Sequence, residues 1–109
     1  MNDKIIADLY AVAADRKINP EEGSYTCYLY EKGLDKILKK VGEECAETII
    51  AAKNGDNGEL TLEICDLIYH LIVLMNERGL PLEAVFSELD ERAKKIGNLK
   101  QLKNTDRNT

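Results

Sequence analysis

Glu44 and Glu47 stand three residues apart, and Glu63 and Asp66 repeat that spacing one helix length later. On a helix each pair is an i, i+3 pair, so both carboxylates point the same way. Glu43 precedes the first pair and projects farther toward solvent. With residues set at steps of about 100°, Glu63, Asp66 and the single histidine, His70, fall in one narrow sector of an otherwise nearly all-apolar segment. Ionised carboxylates in such surroundings are costly unless a cation or a metal compensates them. The competing reading is a partly exposed bundle edge carrying ordinary charges. E-E-x-x-E alone usually marks a solvated helix face, but a second pair a short turn away favours a metal site. An all-oxygen, strongly anionic site suits Mg²⁺ or Mn²⁺. A ferritin-like di-iron centre requires Glu-x-x-His, which is absent, and zinc is poorly served by one His and no clustered Cys.

Two helices must position these groups. Apolar residues at Leu34, Ile37, Leu38, Val41, Cys45, Ile49 and Ala52 predict a long helix over residues 34–53 that continues through Gly42. Gly55 suits the position after its end, and Asp56 with Glu59 reads as a capping box opening the next helix, over about 59–78. That helix is apolar nearly all the way round and is expected to be buried on most faces. Antiparallel packing across the short connection would let the two acidic pairs converge. Upstream, residues 2–17 have amphipathic spacing and stop at Asn19-Pro20; Ser24 is a candidate N-cap for a short helical stretch ending near Gly33. Downstream, Gly79 ends the apolar helix, Pro81 fits the first turn of the next, and that helix closes at Gly97.

The whole is expected to be an all-α bundle of four to five helices. At 109 residues, one domain over residues 1–97 is the expectation, followed by a polar, basic and flexible tail over 98–109. A chain this short encloses its core only in part, so dimerisation is expected to complete it. Residues 92–109 hold six basic side chains against Asp106 alone, which leaves residues 1–91 strongly acidic within a net charge of −5. Such a body repels nucleic acid, and an anionic ligand would need cations between it and the protein. Cys27, Cys45 and Cys65 form no C-x-x-C pair and occupy apolar helical positions, so buried thiols in a reducing compartment are expected. No signal-peptide pattern opens the chain and no apolar run is long enough to span a membrane, which points to the cytoplasm.

The set Glu43, Glu44, Glu47, Glu63 and Asp66 resembles the carboxylate motif of the MazG-like all-α nucleoside triphosphate pyrophosphohydrolases. The strings S-Y-T (Ser24–Thr26), G-L-D-K-I-L-K-K-V-G-E-E (Gly33–Glu44), I-A-A-K-N (Ile50–Asn54) and D-L-I-Y-H-L (Asp66–Leu71) are similar, more specifically, to the phosphoribosyl-ATP pyrophosphatase family of histidine biosynthesis, over about residues 1–96. The resemblance implies Mg²⁺-dependent hydrolysis of 1-(5-phospho-ribosyl)-ATP at its α–β phosphoanhydride, giving 1-(5-phospho-ribosyl)-AMP and pyrophosphate, the second step of the pathway. It implies Glu44, Glu47, Glu63 and Asp66 as metal ligands. Glu43 would orient or deprotonate the attacking water, or help hold a further ion. With no cyclohydrolase segment in the sequence, the chain looks like the stand-alone form.

Lys36 and Lys40 precede the acidic run by one and two turns, and either neutralise phosphate oxygens or serve as i, i+4 partners of nearby glutamates. His70 is a donor to a carboxylate, a substrate contact or a satisfied core histidine. Tyr25 and Tyr69 stack on the nucleotide or simply pack. Two other functions remain open at this level. One is a house-cleaning pyrophosphatase for canonical or damaged dNTPs with the same carboxylates; the other is a non-catalytic helical module with an acidic docking face and no metal dependence.

Overall fold

The computed structural model describes residues 3–96, and among them every regular element is helical. The expectations for Gly97 and for the tail over 98–109 lie outside the described residues. The elements are α1 (Ile5–Ile18), α2 (Tyr25–Lys32), α3 (Leu34–Lys53), α4 (Asn57–Arg78) and α5 (Leu82–Lys95). The all-α expectation holds, with five helices in the described residues.

The ends of the helices follow from local chemistry. Asn19 closes α1 by donating its backbone N–H to the Asp15 carbonyl, at 2.7 Å, and its side-chain amide to the Asp15 carboxylate, at 2.8 Å. Ser24 caps α2 as expected, its hydroxyl accepting the Cys27 N–H at 3.2 Å. Gly33 is shared between α2 and α3 at φ 94°, a conformation costly for a residue with a Cβ, and so turns the chain between them without a loop. The connection from α3 to α4 is three residues, 54–56, in which the Asp56 carboxylate accepts the Glu59 N–H at 3.0 Å. Because that cap acts from Asp56, α4 starts at Asn57, two residues before the expected onset. Pro81 sits at the N-cap of α5 rather than in its first turn, its extended ψ of 144° being outside the helical range.

The main interface lies between antiparallel α3 and α4, with α1 against α4 and α2 against α3. Leu29, Ile37 and Val73 are fully enclosed and packed by Tyr30, Tyr69 and Leu74, which ties α2, α3 and α4 into one core. Ala13 is fully buried, and the Tyr30 hydroxyl donates to its carbonyl at 2.7 Å. Burial pushes the Tyr30 phenol up to about 12.

Two expectations require correction. In the single chain α4 is not buried on most faces: Leu62, Ile64, Ile68 and Leu71 are exposed, Leu62 at 60%. Nor are the thiols buried, since Cys45 and Cys65 are exposed and Cys27 is half-buried. The reason is the same for both. The remaining helices of one chain cover α3 and α4 on one side only, so the apolar periodicity describes more surface than one chain can enclose.

Candidate functional site

α3 and α4 carry the acidic pairs on the faces they turn to each other. Carboxylate oxygens of Glu44, Glu63 and Asp66 lie within 4.8 Å of one another. Glu44 is buried, Glu63 half-buried and Asp66 exposed, so the cluster forms a path from the helix interface outward. Glu44 Oε2 and Glu63 Oε1 are both enclosed without a hydrogen-bond donor. Buried acceptors are rarely left so, and a carboxylate has only acceptors to offer.

The electrostatics agree with the geometry. Burial raises Glu44 above the usual carboxylate range; the Glu47 and Asp66 charges add to this, while its contact with Glu63 opposes it. Glu63 is pushed up to about 8, first by interaction with the Glu59 carboxyl group, then by desolvation, then by Glu44 and Glu47. The site therefore stores like-charge repulsion that a cation among the oxygens would relieve. The donor set is wholly carboxylate and so all oxygen, which suits hard divalent ions, and the two unpartnered oxygens are its innermost members.

Glu47 lies beside this trio, near enough to raise both Glu44 and Glu63, on the exposed side of α3. Glu43 stands farther out and is held by Lys40, whose Nζ is 3.4 Å from Glu43 Oε1 and 3.9 Å from Glu44 Oε1. Lys40 thus serves as the i, i+3 and i, i+4 partner of these glutamates while bordering the cluster. Lys36 is directed elsewhere, its Nζ 5.9 Å from the centre of the Tyr28 ring.

α2 supplies the other wall. Tyr25 is 46% exposed, and its ring stacks on Tyr28 with centroids 6.2 Å apart. Burial of its hydroxyl raises the Tyr25 phenol; the Lys40 ammonium lowers it, and Glu44 and Asp66 raise it further, so it belongs to the same electrostatic neighbourhood. His70 is 6% exposed, and its Nε2 lies 2.7 Å from the Tyr25 hydroxyl. Its Nδ1 lies 2.7 Å from the Asp66 backbone carbonyl. Tyr69, the second tyrosine of interest, pairs its hydroxyl with that of Thr26 and packs into the core.

Two contributors escape the motif reading. Glu59, read as a capping residue, has its backbone in the cap but its carboxyl group against Glu63; the i, i+4 spacing of 59 and 63 is the signal for it. Tyr28 is one turn from Tyr25 and stacks beside it, a spacing equally visible in Tyr25–Tyr28.

A family model described as phosphoribosyl-ATP pyrophosphohydrolase matches residues 6–93. The chain is 56% identical over 99 residues to a phosphoribosyl-ATP pyrophosphatase of Clostridium novyi, covering 91% of this chain and 90% of that protein. It is 54% identical over 99 residues to the protein of that name from Listeria monocytogenes, covering 91% and 95%. It is 66% identical over 87 residues to the histidine biosynthesis bifunctional protein HisIE of Thermoanaerobacter pseudethanolicus, covering 80% of this chain but only 40% of that longer protein. The matched span contains α2, α3 and α4 whole, all but the outer ends of α1 and α5, and all the carboxylates of the cluster. On that span and these identities, the chain belongs to the phosphoribosyl-ATP pyrophosphohydrolase family of enzymes.

Proposed function

We propose that this protein hydrolyses 1-(5-phospho-ribosyl)-ATP between its α and β phosphorus atoms, releasing pyrophosphate and 1-(5-phospho-ribosyl)-AMP, as the second step of histidine biosynthesis in the cytoplasm. The observation that carries the reading is the convergence of Glu44, Glu63 and Asp66 around two enclosed oxygens without donors, on a chain of this family. Glu44, Glu63 and Asp66, with Glu47 alongside, hold Mg²⁺, for which Mn²⁺ can substitute. When bound, the ion offsets charge on the triphosphate and acidifies a water. Glu43 is exposed next to the cluster and within reach of solvent, which suits it to orient that water or to hold a further ion. Lys40 keeps Glu43 in place and offers an ammonium group to phosphate oxygens at the rim. Tyr25 and Tyr28 provide an aromatic wall for the nucleoside. The working form is a homodimer, a reading supported by the exposed apolar side chains of α3 and α4.

The test is pyrophosphate release from phosphoribosyl-ATP, with dCTP, dUTP and ATP in parallel, each with Mg²⁺ and with EDTA. Release from phosphoribosyl-ATP alone, abolished by EDTA and reduced on the order of 100-fold by Glu47→Gln, is the expected result. Release chiefly from a dNTP overturns the substrate and keeps the site; activity indifferent to EDTA overturns the metal.

A further inference from the structure

His70 is the only histidine of the chain, buried, flanked edge-on by the rings of Tyr25 and Tyr69, and bonded at both ring nitrogens. Its two partners are not equivalent. The Asp66 backbone carbonyl can only accept, so the hydrogen in that 2.7 Å contact belongs to Nδ1. In the neutral ring this leaves Nε2 with a bare lone pair, and the 2.7 Å contact on that side is then donated by the Tyr25 hydroxyl. A hydroxyl has one hydrogen. Once it is turned inward to His70, the oxygen that Tyr25 shows to the site has lone pairs only.

Resting on the proposed function, we propose that His70 is a positioning residue that locks the Tyr25 hydroxyl as an acceptor-only group at the rim of the carboxylate cluster, where it receives a hydrogen bond from a ribose hydroxyl of the bound nucleotide. The sugar is the donor-bearing part nearest a phosphate chain held at Glu44, Glu63 and Asp66. Phosphate oxygens, which have no hydrogen to give, are turned away from Tyr25 toward the cation and Lys40. The same Asp66 that offers its carboxylate to the cluster offers its carbonyl to His70, so the rim group and the cluster are held by one turn of α4.

A single histidine makes the decisive observation unambiguous. Nitrogen NMR of the ¹⁵N-labelled protein in EDTA at pH 8 should show Nδ1 protonated and Nε2 bare; a proton on Nε2 overturns the proposal, and this measurement needs no substrate. Steady-state kinetics on whichever nucleotide the wild type hydrolyses complete the test. Tyr25→Phe and His70→Leu should each raise KM about three- to ten-fold, the loss of one hydrogen bond, with kcat within about two-fold. The double variant should lose no more than Tyr25→Phe alone, and His70→Gln, whose amide oxygen can take the place of Nε2, should stay close to wild type. Additive losses, or a fall in kcat with KM unchanged, overturn the proposal. If His70→Leu does not fold, Tyr25→Phe, His70→Gln and the tautomer decide. Absence of phosphoribosyl-ATP hydrolysis in the wild type would instead defeat the functional reading, and the tautomer would still stand or fall by itself.

Discussion

At the scale of single residues, the cost of Glu44 is the clearest mark of purpose. Its side chain is 8% exposed, one oxygen has no donor, and the nearest ammonium is 3.9 Å from the other. A folded chain has no structural reason to bury a carboxylate so poorly served. Replacing it by the neutral isostere should therefore help the metal-free protein and harm the metal-bound one. In EDTA, Glu44→Gln is expected to gain on the order of 1 kcal/mol, about 4–8 °C in Tm for a domain of this size. The wild type should gain Tm on adding Mg²⁺, and the variant should gain little. Calorimetric melts with and without Mg²⁺ decide it; a variant that melts lower in EDTA and still responds fully to Mg²⁺ would sink the assignment of Glu44.

At the scale of helices, most of the site is legible in the sequence because helical periodicity is rigid. The i, i+3 spacing of Glu44 with Glu47 and of Glu63 with Asp66 fixes direction on each helix, and a three-residue connection fixes which helix faces which. The role of α2 is harder to read. Ser24 signals where that helix begins, but that Tyr25 reaches His70, 45 residues away, depends on how Gly33 redirects the chain, which no local pattern encodes. Glu59 escaped for the opposite reason: a capping pattern explained it fully, and one residue can serve a cap with its backbone and the site with its side chain. The cap on α2 gives a test at this scale. Ser24→Ala removes the acceptor of the Cys27 N–H and is expected to cost about 1 kcal/mol, read as a lower denaturation midpoint with an unchanged m-value. No loss would mean that α2 is held by Leu29 and Tyr30 packing alone.

At the scale of the whole molecule, the apolar residues of α3 and α4 exceed what five helices of one chain can cover. Composition makes that surplus legible, but not which residues carry it, because a helix apolar on all sides gives no phase to its own exposure. The exposed set runs from Ile49 and Ile50 on α3 through Leu62, Ile64 and Ile68 on α4. Exposed apolar side chains in this number are what a contact surface would use, and a second copy is the occupant proposed above. Leu62 is already 60% exposed, so Leu62→Lys should leave the single-chain fold intact while opposing association. Sedimentation equilibrium is expected to give a dimer for the wild type and a shift toward monomer for the variant, with helical circular dichroism preserved. A wild type that sediments as a monomer would reject the second copy.

The short connection at residues 54–56 also bears on the order in which the protein forms. Zipping α3 onto α4 closes a loop of almost no length, the least expensive long contact the chain can make, and hairpin-like helix pairs assemble quickly. Glu44, Glu63 and Asp66 are brought together by that same movement. If this pair forms first, the chain meets its electrostatic conflict before α1 and α2 have docked. If the proposed metal site is right, a divalent ion in the surrounding solution would meet the nascent hairpin and relieve that conflict, so that it would speed folding as well as serve turnover.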